Sequence, residues 1–251
     1  GDLKVSGRKD GESVEKGEEI LKIEGALKEV LARERVCLNY ITRMSGIAAL
    51  SRKISDKYGQ KVLFLRKTDP GLLFSEKRAV SLGGCLPHRL NLDDGILIKD
   101  NHIDELAKGS NRLEAISKAI SRVAESKIRI EDAKTLHLKG ESKNFLLSKE
   151  KSKKVRKIEI EVDTVEEAQY AAEEFTGLEG PNIILLDNMN LRDVKRASDL
   201  IRQTNAEIII EASGGITEET IGDYLDAGAD YVSTSLFVSA KPAKFKLEIT
   251  R

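Results

Sequence analysis

Positive side chains recur at the ends of apolar runs in the first half of this chain. Arg66-Lys67-Thr68 follows Val62-Leu63-Phe64-Leu65, His88 and Arg89 follow the glycine-rich Gly83-Gly84-Cys85, and Lys99 follows Gly95-Ile96-Leu97-Ile98. Carboxylates take the equivalent places farther along. Glu159, Glu161 and Asp163 alternate through one apolar strand, Asp187 follows Ile183–Leu186, and Glu211 opens Glu211-Ala212-Ser213-Gly214-Gly215. Burying a lone cation is costly unless something negative meets it, so either the protein's own acids or a ligand neutralises the positive cluster. Guanidinium forks suit carboxylates. A glycine-rich turn that opens a helix exposes N–H groups to phosphate.

Each of these features also has a plainer reading. Arg66-Lys67 could be a strand terminus reaching solvent, and Arg89 and Lys99 could pair with Asp93, Asp94 or Asp100, or with Glu161 and Asp187 in a barrel mouth. Ser213-Gly214-Gly215 alone is a weak motif, His102 suits a helix cap, and His137 suits a surface. What favours a site is that the features coincide at one end of the elements that carry them.

Those elements follow from periodicity. A short strand at 19–24 precedes a long helix from Ala26 to about Lys57, which the Ser45-Gly46 step could bend. Strands are expected at 62–65, 96–98, 158–162, 183–186, 208–211 and 231–233. Helices are expected at 74–82, 112–125, 165–174, 191–203 and 217–227. Apolar strands alternating with amphipathic helices imply parallel βα units and a closed or nearly closed barrel, with chemistry at the carboxyl ends of its strands. The stretch 126–157 breaks this rhythm and reads as a solvated insertion. Leu3-Lys4-Val5 reads as the end of a strand whose partners are absent.

Composition excludes other classes. The 42 basic and 42 acidic residues cancel, which removes any general pull toward nucleic acid or membrane. No apolar run reaches membrane-spanning length, and a cytoplasmic setting is expected. Cys37 and Cys85 lack the spacing of a disulfide framework or a zinc site.

The ordered segments Arg66-Lys67-Thr68-Asp69-Pro70-Gly71-Leu72, His88-Arg89-Leu90, Leu97-Ile98-Lys99-Asp100-Asn101-His102, Leu185-Leu186-Asp187-Asn188 and Glu211–Thr217 resemble the quinolinate phosphoribosyltransferase family. The resemblance implies an α/β chain: a partial α/β sandwich, then an incomplete (seven-stranded) α/β barrel. The sandwich remnant and linking helix would occupy 1–45, the barrel 46–235 with the insertion at 126–157, and a returning C-terminal segment 236–251. The family's first strands and helix would be missing. The implied activity is transfer of phosphoribosyl from phosphoribosyl pyrophosphate to quinolinate with decarboxylation, giving nicotinate mononucleotide.

By the same resemblance Arg66, His88, Arg89 and Lys99 line the quinolinate pocket, joined by Arg35 from the second subunit of a homodimer. The doubly anionic guest, rather than the protein's own acids, would then neutralise the cluster. Lys67 would lie near the diphosphate, and Glu161 and Asp187 would hold ribose hydroxyls and Mg²⁺. Ser213, Gly214 and Gly215 would hold the 5′-phosphate at a helix start. Ser235 and Ser239 stand where the family has Gly and His, and Leu73 where it has Arg, which bears on phosphate affinity. The rival readings are a molybdenum-transport-associated paralogue with another acceptor and a non-catalytic barrel that binds a phosphorylated ligand.

Overall fold

The structure, a computed structural model, describes residues 3–92, 94–125, 158–178 and 180–250. The insertion expected at 126–157, with His137, lies outside the described residues.

A small antiparallel sheet comes first, with β1 (Lys4–Gly7) paired to β2 (Leu21–Glu24). The opening strand therefore has its partner within the chain, contrary to the sequence expectation. The long helix α1 (Leu27–Tyr58) follows. Its first half projects: only Gly46, Ile47, Ser51 and Ile54 are buried, while Leu27, Leu31, Val36 and Tyr40 are exposed. The helix runs through Ser45-Gly46 as one element. Gly46 is needed there for close approach, because a Cβ would sit 2.2 Å from the Lys241 carbonyl oxygen.

Six parallel strands form the main sheet. They are β3 (Val62–Phe64), β4 (Ile96–Ile98), β5 (Ile158–Val162), β6 (Asn182–Asp187), β7 (Ile209–Ser213) and β8 (Tyr231–Thr234). Their order is β3-β8-β7-β6-β5-β4. β5 is buried along its whole length, as a strand covered on both faces must be. The connecting helices are α2 (Leu73–Gly83), α3 (Asp100–Ala107), α4 (Arg112–Glu125), α5 (Val165–Glu174), α6 (Leu191–Thr204) and α7 (Ile221–Asp226). Their buried alanines and isoleucines, such as Ala168, Ala171 and Ala172 on α5, close over the sheet.

The sheet thus curls into a half-barrel, and among the described residues its ladder has six strands where seven were expected. Leu86 contributes only an isolated parallel bridge beside Leu63. Phe64 N–H donates to the Leu86 carbonyl at 2.8 Å, and Leu86 N–H to the Val62 carbonyl at 3.0 Å. The glycines at 83 and 84 and Pro87 flank this position and prevent a longer strand. α3 was not foreseen; its three turns at most are too short for a periodic signal.

Candidate active site

The carboxyl ends of β4, β5 and β6 carry a charge-matched group. Lys99, just past β4, places its Nζ 2.7 Å from Glu161 near the end of β5. Burial raises the Glu161 pKa and Asp187 adds to that, while Lys99 opposes it. Asp187 ends β6, paired in register with Ser213 on β7. His102 has the capping role its position suggested, its Nδ1 accepting from the Lys99 backbone N–H at 2.9 Å.

His88 is matched too. Its Nε2 lies 3.4 Å from both Glu159 on β5 and Glu211 on β7, with all three side chains almost fully buried. At that distance the contact is electrostatic rather than a well-formed hydrogen bond. Burial alone would lower the imidazole pKa, but Glu211 and Glu159 outweigh it and raise the value to about 9. The three groups also form a donor set that could hold a metal ion. The neighbouring guanidinium of Arg89, which feels both acids, favours a proton over a dication there.

Lys99 and His88 are therefore neutralised by the protein's own carboxylates, which overturns the expectation that a guest matches the whole cluster. The remaining cations differ. Arg89 is held only by a 3.4 Å contact from Nη1 to the Gly95 carbonyl, and its buried Nε has no hydrogen-bond partner among the described residues. Arg66 makes no ion pair among the described residues, and its charge lowers the pKa of Arg89 after burial has done so and Glu159 has opposed it. Lys77, on α2, joins them; it is 2% exposed, and its Nζ donates to the Phe64 carbonyl at the end of β3. Sequence reading missed Lys77 because a lysine within an amphipathic helix ordinarily reaches solvent.

The loop that carries Arg66 and Lys67 is clamped from below. Arg43 donates to the fully buried Glu76 at 2.8 Å, lies 3.0 Å from Asp69, and donates to the Val238 carbonyl at 2.8 Å. Asp69 N–H also reaches Glu76 at 3.3 Å. No motif pointed to Arg43, because its partners lie far away in sequence.

Beside this group opens a cavity of about 800 Å³ whose lining includes Lys67, Gly214, Gly215, Ser233, Ser235 and Ser239. Gly214 (φ +93°) leaves no room for a side chain, since a Cβ would fall 2.3 Å from Asn188 Oδ1. Gly215 (φ +62°) has nothing within 4 Å of its Cβ position, so its backbone faces open space. Ser213 is buried at the end of β7. The turn does not run straight into a helix as expected, because α7 begins only at Ile221 and a turn at Thr217–Thr220 intervenes. Backbone N–H groups of the turn, rather than a helix end, are what this cavity offers an anion. Arg35 is absent from the group. It lies on the projecting half of α1, 75% exposed, with Glu34 at 3.5 Å as its neighbour.

Two family models match the chain: the quinolinate phosphoribosyl transferase N-terminal domain over residues 3–45, and the C-terminal domain over 47–137 and 130–248. The chain belongs to the quinolinate phosphoribosyl transferase family. A Methanothermobacter thermautotrophicus relative, named a probable carboxylating nicotinate-nucleotide pyrophosphorylase, is 33% identical over 96% of this chain and 76% of its own length. One of the same name from Bacillus subtilis is 34% identical over 97% of this chain and 72% of its own. The crystal structure of a NadC deletion mutant superposes with a TM-score of 0.75 at 32% identity, covering 98% of this chain and 76% of that one. The N-terminal domain model covers β1, β2 and the first part of α1.

Proposed function

We propose that the chain transfers phosphoribosyl from phosphoribosyl pyrophosphate to quinolinate with loss of CO₂, giving nicotinate mononucleotide and pyrophosphate in NAD biosynthesis. Family membership supports the reaction. The observation that carries the substrate is the pair Arg66 and Arg89, two guanidinium groups with no carboxylate of the described residues at ion-pair distance. Quinolinate brings two adjacent carboxylates to such a pair.

In this reading Arg66 and Arg89 receive the dicarboxylate, with Lys99 and the His88 imidazolium fixing its edge. Lys67, at the lip of the cavity, holds the diphosphate, and Ser213, Gly214, Gly215 and Ser235 surround the 5′-phosphate. The ring nitrogen displaces pyrophosphate at the anomeric carbon, where Glu161 and Asp187 stabilise the developing positive charge. The ring is then cationic, which lets the 2-carboxylate leave as CO₂. No strong general acid is needed, since alignment and charge do the work.

Mg²⁺ fits the acidic pair. Glu161 and Asp187 are hard oxygen donors on adjacent strands, close enough that Asp187 raises the Glu161 pKa, and Mg²⁺ takes one or two carboxylates with substrate oxygens. When bound it supplies charge neutralisation of the pyrophosphate.

A homodimer completes the site in this reading. The exposed Leu27, Leu31, Val36 and Tyr40 would meet a second copy, which would deliver its own Arg35 to the mouth. β1, β2 and the first half of α1 then belong to a sandwich domain, and Leu86 marks the place of a seventh strand. Mixing Arg35→Ala with Lys67→Ala subunits is expected to restore part of the activity each lacks; no recovery contradicts a shared site.

Incubation with quinolinate, phosphoribosyl pyrophosphate and Mg²⁺ is expected to release CO₂ and nicotinate mononucleotide, with nicotinate inert as acceptor. Turnover of nicotinate but not quinolinate would sink the assignment. Of the rivals, a paralogue with another acceptor would lack the dicarboxylate-reading arginines, and a mere binder has no use for Glu161 beside Asp187.

A further inference from the structure

Lys77 is a cation without a counter-charge. It is buried on α2 beneath the end of β3, and its Nζ has one hydrogen-bond acceptor among the described residues, the Phe64 carbonyl. The amine also lies 4.9 Å from the centre of the Phe64 ring. No carboxylate of the described residues comes within ion-pair distance of it. The charged groups that face it are Arg66 beyond β3, Arg89 and Asp94 before β4, and Glu211 on β7. His88 and Glu159 lie behind Glu211. Two guanidiniums thus crowd the amine, while Glu211 is already engaged with His88. Asp94 is also committed, accepting from the backbone N–H groups of Leu90 and Asn91 at 2.6 and 3.2 Å.

Above neutral pH such a site holds mostly neutral amine when empty and an ammonium when an anion arrives. We propose that Lys77 is a proton-uptake group for the dicarboxylate: its lone pair takes a proton from solvent as the dianion settles on Arg66 and Arg89, so substrate and proton bind together. The inference rests on the quinolinate reading of this pocket. Burial, then Arg66 and Arg89, bring the Lys77 pKa down to about 7, with Asp94 and Glu211 opposing. Two added negative charges in a pocket of low dielectric push it back up. The overall reaction consumes one proton, because the electron pair left on the ring carbon when CO₂ departs must be protonated. That proton is separate from the one Lys77 holds, which returns to solvent as the products leave. Lys77 is a positioning residue in this account: it acts through the charge it lends to the arginine pair.

Calorimetric titration of the intact protein with quinolinate, in buffers of differing ionisation enthalpy, counts the protons. Uptake is expected to approach about one proton per site at pH 8 and to fall well below that at pH 6, where the amine is already charged. The other groups give different profiles. His88, at about 9, is still mostly protonated at pH 8, and carboxylates take up protons increasingly toward low pH. In Lys77→Met the uptake at pH 8 is expected to vanish, along with the wild-type fall in affinity of up to about tenfold from pH 7 to pH 8. Binding without uptake at pH 8, or uptake that survives in Lys77→Met, overturns the inference alone. Should Lys77→Met fail to fold, the wild-type profile decides: uptake growing from pH 6 to pH 8 supports it, and uptake flat or growing toward acid overturns it. No binding of quinolinate overturns the reading of the pocket and this inference with it.

Discussion

The two sides of the barrel mouth carry similar numbers of cations under opposite electrostatic conditions. On the β4–β5–β6 side, Lys99 meets Glu161 at 2.7 Å and His88 sits between Glu159 and Glu211. On the β3 side, Lys77 donates to the Phe64 carbonyl, Arg89 makes a 3.4 Å contact with the Gly95 carbonyl, and Arg66 makes no ion pair among the described residues. The matched side carries its own counter-charges before any substrate arrives, so it can fix geometry and stay folded. The unmatched side stores repulsion that a dianion relieves, so it supplies affinity and selectivity. Stability thus draws mainly on the matched groups and substrate affinity mainly on the unmatched ones.

Substitutions on each side should separate these roles, and the largest effect is expected at the lip between them. Lys67→Ala should cut the rate of nicotinate mononucleotide formation by about 10²–10³-fold, the scale of losing one stabilising donor to a leaving anion, while quinolinate still binds. Turnover like that of wild type would remove Lys67 from the mechanism. Arg89→Met should raise the quinolinate KM by about 10–100-fold, as expected for a charge-assisted contact of about 1.5–3 kcal/mol, without lowering the melting temperature. A clear loss of stability would show that Arg89 has a structural partner.

Lys99→Met, on the matched side, is expected to do the reverse in stability. It leaves the Glu161 carboxylate buried without its 2.7 Å partner, so the protein should lose about 1 kcal/mol, discounted because Lys99 is half exposed. Unchanged stability would dissolve the contrast between the two sides. The subtlest effect is on pH dependence. The raised His88 pKa makes its charge a stabilising contribution that is complete below about 6.5 and lost as pH rises through about 9. Glu211→Gln should move the alkaline loss of both stability and quinolinate affinity toward neutral pH. An unmoved alkaline limb would mean that Glu211 does not hold the imidazolium.

Much of this was legible in sequence because parallel barrels place chemistry at strand ends. Arg66, Lys99 and Asp187 each follow an apolar run, and the pattern that marks the run also marks the residue. Glu159 and Glu161 were readable as one strand face by alternation. What could not be read depends on contacts between distant elements. Nothing local distinguishes Lys77 from a solvated helix lysine, and Arg43 meets Glu76 only because α1 packs on α2. Glu161 was one of several acids open to Lys99 in sequence, and the register of β4 against β5 selects it over nearby Asp100. The helix expected from Thr217 was mistaken because Thr217–Thr220 forms its own hydrogen-bonded turn, which competes with helix initiation. Gly46 was misjudged as a bend when its role is contact with the C-terminal segment.

The division of labour stands or falls on selectivity for two carboxylates over one. Calorimetric affinities of the wild-type protein for quinolinate and for nicotinate measure it directly. Quinolinate is expected to bind at least about tenfold more tightly, the scale of one added charge-assisted contact; equal affinities would mean that Arg66 and Arg89 do not read the second carboxylate.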